Sequence, residues 1–383
     1  MKSAELTYRV CTSILECAEL WDEFLPANHH LASVHCAVIE RCNLEDVSFR
    51  YVIVSNHNKE VVAVAYFQWL RFMTRHYSFP LAKNFLLKKI EDAVMKNGFN
   101  ILVCGNLLRI DAPGLYYNSG KANATSVFSV LEEFFQTLHP YPHVILVKDW
   151  NQYLDEKWIR QFHFQSWPSD LTMKLDLSSW KTFDEYVAAL RHRYAQRIRK
   201  TRKKLLSVVR QEFSLEEIET FSPQLEMLYL EVVKRQPIRM IIVNGNYFAE
   251  MKKAYGERFR LFGYFSENKL IAFSSNIVFE NLWELHYIGI DYPANETHWL
   301  YFNILFDAIA DAIEGGKNEL ELGRTARAAK TSLGARPVYF KNYMRLKGLI
   351  PRLAVKLLGQ NFNENVGQNW EERNAIRAVK HQK

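Results

Sequence analysis

Residues 321–345 read Glu-Leu-Gly-Arg-Thr-Ala-Arg-Ala-Ala-Lys-Thr-Ser-Leu-Gly-Ala-Arg-Pro-Val-Tyr-Phe-Lys-Asn-Tyr-Met-Arg. An apolar strand ends at Gly323, and a second strand begins at Val338, after the turn residues Gly334 and Pro337. The segment between the two strands is rich in small residues and carries four cations: Arg324, Arg327, Lys330 and Arg336. Because charged side chains are rarely buried without partners, this stretch predicts a binding surface at a strand end and a loop.

The order of strand, Gly323-Arg324, small residues, Lys330, Gly334 and strand resembles the C-terminal signature of GNAT-like acyltransferases of the FemAB and peptidoglycan-biosynthesis type. The resemblance implies an α/β fold with mixed sheets (α+β), in two tandem GNAT-like (acyl-CoA N-acyltransferase) domains. It also implies transfer of an acyl or aminoacyl group from an activated donor, acyl-CoA or acetyl-CoA, to an amine. The acceptor would be a small molecule or a cell-envelope precursor.

The overall composition is that of a well-packed globular protein. The chain has 383 residues, 48% of them hydrophobic and 14% aromatic, which suits two domains of roughly 170–200 residues each. No apolar run approaches the ~20 residues of a transmembrane helix, and the N-terminus has no apolar signal region. The five cysteines form no CxxC pair, so we expect reduced thiols and a cytoplasmic protein. The net charge of +7 favours an anionic partner: nucleotide, coenzyme A, phospholipid surface or RNA.

The two halves of the chain run through similar elements, which indicates a duplication. Three matched pairs of segments support this interpretation: Phe49-Arg50 to Lys59 with Phe259-Arg260 to Lys269, Ile110-Asp111-x-Pro113 with Ile290-Asp291-x-Pro293, and Phe128-x-x-Leu131 with Phe302-x-x-Leu305. We therefore expect an N-terminal GNAT-like domain over 1–168, which shapes the cleft, and a C-terminal one with the active site over 169–350. A basic tail over 351–383 would pack on the second domain as a short helix or contact a membrane surface peripherally.

Two cations of the first-quoted stretch are candidate site residues. Lys330 and Arg324 would neutralise an anionic substrate or the oxyanion that develops during acyl transfer. In the family that the stretch resembles, the lysine at the position of Lys330 lies beside the reacting carbonyl. Tyr339 is a further substrate-binding candidate. The structural alternative is that these cations only decorate a loop.

A predicted strand over 282–290 supplies the candidates for a general base. Alternation places Glu284, His286 and Ile288 on one face, and either of the first two would deprotonate an attacking amine. The other face would carry Trp283, Leu285 and Tyr287. A cross-strand polar pair on a solvated sheet face is the alternative interpretation of the same pattern.

A strongly basic helix is predicted within 183–205, with eight Lys or Arg between Arg191 and Lys204. Apolar residues recur on one side of this helix, so the cations form its outer face. Arg197, Arg199 or Arg202 would border a groove that holds phosphates, since a guanidinium binds phosphate in bidentate fashion. A purely solvated face and an RNA-binding face are the alternatives.

Several other classes of function lack their motifs. The segment after the strand 282–290 has no glycine-rich pyrophosphate loop, so the sequence does not prove coenzyme A binding. His and Cys residues near the N-terminus match no common zinc pattern, so we predict no metal site. Hydrolase and NTPase motifs are absent. No long helical arm suits a tRNA-borne substrate, so aminoacyl-tRNA is not favoured, and no DNA partner is expected.

Two functions of other classes remain open from the sequence. One is a ligand-binding module that kept the groove and lost the chemistry. The other is an RNA-binding or membrane-surface-binding protein that uses the basic helix 191–204. The acyltransferase hypothesis rests on the resemblance, because a fold does not by itself fix a function.

Overall fold

The computed structural model describes residues 6–26, 29–77, 98–150, 156–167, 171–236, 238–348 and 372–377, together with a few single positions in 89–96 and Arg352. It divides into two compact units. The first contains the described residues of Met1–Asp170, Gln236–Ile242 and Phe340–Asn365, and the second contains those of Leu171–Arg235, Val243–Tyr339 and Val366–Lys383. Each unit is built on one mixed β-sheet.

The strands are β1 (Thr7–Cys11), β2 (Val47–Ser55), β3 (Val61–Phe72), β4 (Phe99–Cys104), β5 (Leu115–Tyr117), β6 (Val144–Val147), β7 (Gln165–Trp167), β8 (Leu171–Asp176), β9 (Val209–Glu212), β10 (Phe259–Ser266), β11 (Lys269–Val278), β12 (Leu282–Ile290), β13 (Glu319–Glu321), β14 (Arg336–Tyr339) and β15 (Asn342–Leu346). The α-helices used here are α1 (Ala18–Phe24), α2 (Ser33–Arg41), α3 (Ala124–Thr137), α4 (Glu156–Gln161), α5 (Phe183–Ala189), α6 (His192–Arg202), α7 (Leu215–Thr220), α8 (Ser222–Val233), α9 (Asn246–Tyr255), α10 (Tyr292–His298), α11 (Leu300–Glu314) and α12 (Arg327–Thr331).

The two sheets have the same order of strands. The first runs β1-β2-β3-β4-β6-β15-β7, with β5 also paired to β3, and the second runs β9-β10-β11-β12-β13-β8-β14. In each, four antiparallel strands are followed by one parallel pair, β4 with β6 and β12 with β13. A helix, α3 or α11, precedes the second strand of that pair, as a parallel connection requires. The repeated order confirms two copies of one mixed α/β unit.

In each sheet, the sixth strand is far in sequence from the two strands that it pairs with. In the first sheet, β15 lies between β6 and β7, and in the second, β8 lies between β13 and β14. The single strand predicted from Val338 onwards is therefore wrong: β14 ends at Tyr339, β15 begins at Asn342, and they belong to different sheets. The predicted second domain, residues 169–350, also differs from the structure, since Phe340–Asn365 falls in the first unit.

The hairpins show the duplication at the level of single residues. The pairing of β2 with β3 shifts register between Val54 and Ser55, and that of β10 with β11 shifts between Tyr264 and Phe265. These positions follow the matched Phe49 and Phe259 at the same distance in the sequence. Because such irregularities are structural features rather than accidents of composition, they support the match between the two halves.

One of the three matched pairs does not hold in space. Ile110-Asp111 lies in the loop between β4 and β5, whereas Ile290 is the last residue of β12. The pairing with β3 and β11 instead makes Leu115, opposite Ala65, the counterpart of Tyr287, opposite Ser275. The similarity of the two tetrapeptides is therefore a coincidence of composition.

Helix α11 shows why the apolar pattern of the second half folds as it does. Its buried residues recur at helical spacing, and Gly315 and Gly316 end the helix, the latter with φ +65°. The predicted helix over 300–314 is confirmed. It packs with α5 and α6 on the face of the second sheet that carries Trp283 and Leu285, forming one core.

The opposite face of the second sheet is covered by α8 and α9. Gly289 of β12 points to this side, because a Cβ there would meet Leu228 of α8 and the ring of Phe273. The second sheet therefore has helices on both faces, and each face has its own set of side chains. Candidate residues on β-strands of this sheet can therefore contact each other only when their side chains lie on the same face.

The described part of the C-terminal tail packs on the second unit. Arg191 N donates to Ala375 O (2.8 Å), and Arg377 N donates to Ala189 O (2.9 Å). Residues 372–377 include no helix, and the rest of the predicted tail lies outside the described residues apart from Arg352. In the part of the chain that the structure describes, no helix is both long and apolar enough to cross a membrane.

A buried polar cluster as candidate active site

The candidate site lies where two parallel strands of the second sheet separate. The last residues paired between β12 and β13 are Glu284 and Glu321. Beyond them, β12 continues to Ile290, whereas Leu322 and Gly323 exchange hydrogen bonds with Met173 of β8. The carboxyl ends of parallel strands that diverge in this way leave a crevice, which is where ligands bind in many α/β sheets.

A β-bulge at His286 sets the direction of the side chains along β12. Asn276 of β11 pairs with Leu285 and Ser275 pairs with Tyr287, so His286 is the extra residue. After the bulge, Tyr287 contacts the rings of Tyr229 and Tyr247, while Ile288 joins the core on the other face. The predicted alternation is therefore wrong for these two residues. A bulge exchanges the faces of the residues that follow it.

Three side chains on the face of α9 form a hydrogen-bonded chain. His286 Nδ1 lies 3.2 Å from Glu284 Oε1, and His286 Nε2 lies 2.8 Å from Tyr247 Oη. The side chains of Glu284 and His286 are 6% and 2% exposed. When His286 Nδ1–H donates a hydrogen bond to the Glu284 carboxylate, Nε2 is the acceptor for the Tyr247 hydroxyl. The chain can then carry a proton from the phenol to the imidazole, with the carboxylate stabilising the imidazolium.

Lys330 lies in the short helix α12, which begins after Ala326 at φ +50°. Its side chain turns back to the end of β13, where Nζ donates to Gly323 O at 3.1 Å. Lys330 is 3% exposed. Burial lowers the pKa of Lys330 to about 7; the charge of Glu321 opposes this shift, and that of Arg327 adds to it. A lysine with a pKa near neutrality can both give and take a proton, which is typical of functional sites.

Glu321 provides the second buried carboxylate of this face. It is 4% exposed and accepts a hydrogen bond from Thr172 Oγ1 at 3.0 Å. Two cations of the first-quoted stretch accompany it: Arg327 Nε donates to Arg324 O at 3.2 Å, and Arg324 places its charge near the Tyr287 phenol. The charge of Glu321 also acts on Lys330, whose pKa it raises against the effect of burial. We use the name polar cluster for Glu284, His286, Tyr247, Glu321, Arg324, Arg327 and Lys330.

The cluster brings together four of the predicted site residues: Lys330, Glu284, His286 and Arg324. Sequence reasoning missed Tyr247, Glu321, Arg327 and Thr172. Glu321 had a signal, since the alternation of Glu319-Leu320-Glu321-Leu322 puts two carboxylates on one face. Tyr247 had none, because its approach to His286 depends on how α9 packs on the sheet.

The predicted phosphate-binding residues lie elsewhere. Helix α6 packs in the core of the opposite sheet face, so its cations do not meet the cluster. Arg202 makes an ion pair with Asp307 (2.5 Å), Arg197 lies over the ring of Phe302 at 4.3 Å, and Arg199 is exposed. Tyr339, on β14, is 60% exposed. Arg202 thus has a structural partner, and a substrate-binding role for these residues stays a prediction.

A surface cleft of about 490 Å³ in the second unit lies apart from the cluster. Its lining includes Lys174, Trp180, Glu319 and Arg336. None of the residues that line it belongs to the polar cluster. We base the assignment of the site on the chemistry of the cluster, because this cleft combines charges of both signs with no chain of reactive groups.

The corresponding place in the first unit is occupied by the chain itself. Cys104 and Val147 form the last pair between β4 and β6, where the second unit has two carboxylates. The loop that follows is bonded to the sheet, since Gly105 N donates to Tyr66 O and Tyr66 N donates to Gly114 O. A Cβ on Gly114 would come within 2.2 Å of Gly105 N. The loop therefore fills the position at which the second unit opens.

Two further features limit what the second unit can hold. Among the residues that the structure describes, no group of three or more His, Cys, Asp or Glu could hold a metal ion. Backbone donors at the starts of α10 and α11 already have partners within the chain: Ala294 N donates to Asp291 Oδ1 (3.5 Å) and Tyr301 N to Asn295 Oδ1 (2.9 Å). An anion at these helix ends would compete with the protein's own side chains.

The two sheets define a protein with two tandem GNAT-fold domains. Three solved structures are similar in fold. They are FemX (TM-score 0.53, 10% identity, covering 95% of this chain and 100% of that chain), a tandem GNAT protein from the clavulanic acid biosynthesis pathway (0.53, 10%, 90% and 99%), and the C-terminal domain of a protein assigned as a lysylphosphatidylglycerol synthetase from Agrobacterium fabrum (0.50, 11%, 94% and 100%).

No protein-family model matches the sequence, and no curated protein matches it. The predicted resemblance to FemAB-like tandem GNAT proteins is therefore confirmed as a likeness of structure over most of the chain. At 10–11% identity, this likeness shows the fold alone. The chemistry must be argued from the residues of the cluster.

Proposed function

We propose that the second unit transfers an acyl or aminoacyl group from an activated donor, acyl-CoA in the first instance, to an amine. The observation that carries the proposal is Lys330: a buried ammonium with a pKa lowered to about 7, at the point where β12 and β13 separate. A cation placed in a dry site is worth most where negative charge develops, as on the oxygen of a tetrahedral intermediate. The first unit, whose corresponding place is filled, would not catalyse.

The other residues of the cluster supply the proton transfers. As the amine nitrogen attacks the thioester carbonyl, its proton passes to Tyr247 Oη, whose own proton moves to His286 Nε2. Glu284 stabilises the imidazolium that forms. Protonated Lys330 bonds the oxyanion. When the intermediate collapses, the C–N bond remains, the C–S bond breaks, and the relay returns its proton to the leaving thiolate.

The donor and acceptor classes are inferred from weaker observations. Acyl-CoA is the usual donor of the GNAT fold, and the similar tandem GNAT protein from the clavulanic acid pathway is described in its form without AcCoA. At the starts of α10 and α11, one backbone N–H of each helix is already bonded to a side chain, so a pyrophosphate at either start would compete for that donor. One neighbour is named for the synthesis of lysylphosphatidylglycerol, an aminoacylated lipid, which favours a cell-envelope acceptor. We propose an amine on a small molecule or on a cell-envelope precursor as the acceptor of this protein. The five buried free cysteines suit a reducing, cytoplasmic location.

The proposal is tested by binding and turnover in the full-length protein. We would titrate coenzyme A, acetyl-CoA and longer acyl-CoAs by calorimetry and thermal shift, where a donor at 100 times its Kd raises stability by about 2.7 kcal/mol. Thiol release would then be followed with a panel of amino acids, amino sugars and polyamines. Lys330→Ala is compared with Lys174→Ala, which removes a largely buried lysine from the same sheet face outside the cluster.

The expected result is thiol release that depends on an amine, is lost in Lys330→Ala and survives in Lys174→Ala. Binding without turnover for every amine would favour the ligand-binding module. No thermal shift with any thioester would exclude acyl-CoA and direct the search to aminoacyl-tRNA or carrier-protein donors. Equal activity of Lys330→Ala and the native protein would overturn the assignment of the site.

A further inference from the structure

The turn after α6 exposes large apolar side chains in a very basic surrounding. Leu206 is 87% exposed and Val209, three residues later, is 66% exposed. Trp299, which is 40% exposed, lies near the same turn, because its neighbour His298 contacts Lys204 O through Nδ1 at 3.1 Å. A single exposed apolar residue is common on protein surfaces, but several that lie close together mark an interaction site.

The cations around Leu206 are available to a partner. Residues 191–210 contain no Asp or Glu. Arg199, Lys200, Lys203 and Lys204 are exposed, and within the described part of the chain none of their side chains makes an ion pair or hydrogen bond. Arg202 differs from them, since Asp307 binds it on the inner side of the helix. On α6, Arg202 therefore stabilises the fold, whereas Arg199 and Lys200 face the solvent.

We propose that this basic–apolar surface, formed by Arg199, Lys200, Lys203, Lys204, Leu206 and Trp299, docks the protein on an anionic phospholipid surface. Lysine and arginine attract the headgroups of anionic lipids. An exposed leucine can enter the boundary of the acyl chains, and tryptophan prefers the same interfacial depth. A single-stranded RNA would instead favour several aromatic platforms for its bases, whereas Trp299 is the one aromatic residue among the six that form this surface.

The position of this surface on the second unit suits such a contact. Helix α6 packs on the sheet face opposite to the polar cluster, so a membrane at the outer side of α6 would leave the cluster unobstructed. The inference does not depend on the proposed reaction. A protein without any transferase activity would show the same lipid binding.

The test uses the full-length protein and sedimentation with vesicles. Vesicles of phosphatidylcholine alone are compared with vesicles that contain about 30 mol% phosphatidylglycerol, at low and high salt. Two variants remove the proposed contacts: Lys203→Glu with Lys204→Glu, and Leu206→Ser. Their matched controls are Lys121→Glu with Lys234→Glu, which changes net charge equally, and Leu15→Ser, another leucine that is 77% exposed.

We expect binding to the anionic vesicles only, lost at high salt and weakened at least about tenfold by the double charge reversal. Leu206→Ser should weaken it several-fold, while both controls stay close to the native protein. No binding to anionic vesicles, or an equal loss in the controls, would overturn the proposal. So would a labelled single-stranded RNA that binds tightly and loses affinity in the same two variants while vesicles do not bind.

Discussion

Glu284 and Glu321 lie opposite each other on the parallel strands β12 and β13, at the last pair before these strands separate, and each is 4% exposed. Two buried carboxylates at neighbouring positions repel each other unless each has partners. Glu284 has His286, and Glu321 has Thr172 and the field of Lys330. The two carboxylates therefore lie between the proposed proton relay of His286 and Tyr247 and the side chain of Lys330.

The pH dependence of the reaction distinguishes the two roles open to Lys330. Because the protonated form would stabilise the oxyanion and its pKa is about 7, kcat/KM should fall as the pH rises through 7. Lys330→Arg keeps a charge that does not titrate in this range, so the falling limb should disappear while some activity remains. Lys330→Met should abolish turnover. Activity that rises through pH 7 and is absent in Lys330→Arg would instead identify the lysine as a base.

The carboxylate of Glu321 should change the pH at which kcat/KM falls. Glu321 raises the pKa of Lys330 against the effect of burial. Replacing it with glutamine removes the opposing charge at nearly constant volume, so the falling limb of Glu321→Gln should move to lower pH. The comparison is Glu319→Gln, two residues earlier on the same strand, which pairs with Lys174 and should leave the profile unchanged. A profile that stays in place in Glu321→Gln would show that another group titrates.

The burial of Lys330 also has a signature in stability, which can be measured without a substrate. Its pKa is lowered on folding, so between about pH 7 and 10.5 the unfolded chain binds the additional proton. The cost of burying Lys330 therefore falls, and the stability of the protein rises, as the pH increases through this window. Lys330→Met lacks this contribution. Urea unfolding of both proteins should give a difference that changes by up to about 1.4 kcal/mol per pH unit in this window, in favour of the native protein at higher pH. A constant difference would mean that Lys330 is not desolvated.

The relay predicts that Tyr247 matters for the rate and little for the fold. Tyr247→Phe removes only the hydroxyl that contacts His286 Nε2, and it should reduce kcat about 10²-fold or more, as expected for a lost proton-transfer group. Tyr229→Phe is the control. The ring of Tyr229 also contacts Tyr287, but its hydroxyl accepts a long hydrogen bond from Val243 N (3.5 Å). Thermal unfolding of both variants should be similar. If the two variants have equal rates, the relay does not carry the proton.

The basic helix divides into structural and surface cations, which gives a prediction for stability. Arg202 pairs with Asp307, which also accepts a hydrogen bond from Tyr264 and is 8% exposed. Arg202→Ala removes the shorter of the two ion pairs of this carboxylate, whose other partner is Arg210 at 3.8 Å, and should cost about 1–3 kcal/mol in urea unfolding. Arg199→Ala, on the exposed side, should change stability by less than about 0.5 kcal/mol. Equal effects would contradict the division.

The sequence was sufficient for the parts of the fold that depend on local pattern. The hairpins, the helix over 300–314 and the tandem arrangement followed from periodicity, turn residues and matched offsets. The position of β15 in the first sheet could not be predicted in this way, because an alternating strand would fit either sheet. Only its pairing with β6 and β7 decides the sheet to which it belongs.

The site shows the same limit at the level of single residues. The sequence proposed Glu284 and His286 from their residue types and Lys330 from the family resemblance, and the structure places all three in the polar cluster; their catalytic roles stay a prediction. One extra residue at His286 reversed the faces of Tyr287 and Ile288, and a bulge leaves no mark in the apolar pattern. Arg197, Arg199 and Arg202 were proposed as phosphate-binding residues from their charge, and charge alone does not predict the sheet face on which α6 packs, which is the face opposite to the polar cluster.

The filled position in the first unit predicts one donor site per chain. The loop 105–114 is hydrogen-bonded to β3, and Lys148 fixes it further by donating to Arg109 O at 2.9 Å. A calorimetric titration with the donor that binds should therefore give a stoichiometry of about one. Lys330→Ala should weaken this binding, whereas Lys148→Met, which loosens the loop without touching the second unit's cluster, should leave Kd unchanged. Two equivalent sites, or a loss of affinity in Lys148→Met alone, would show that the first unit binds the donor.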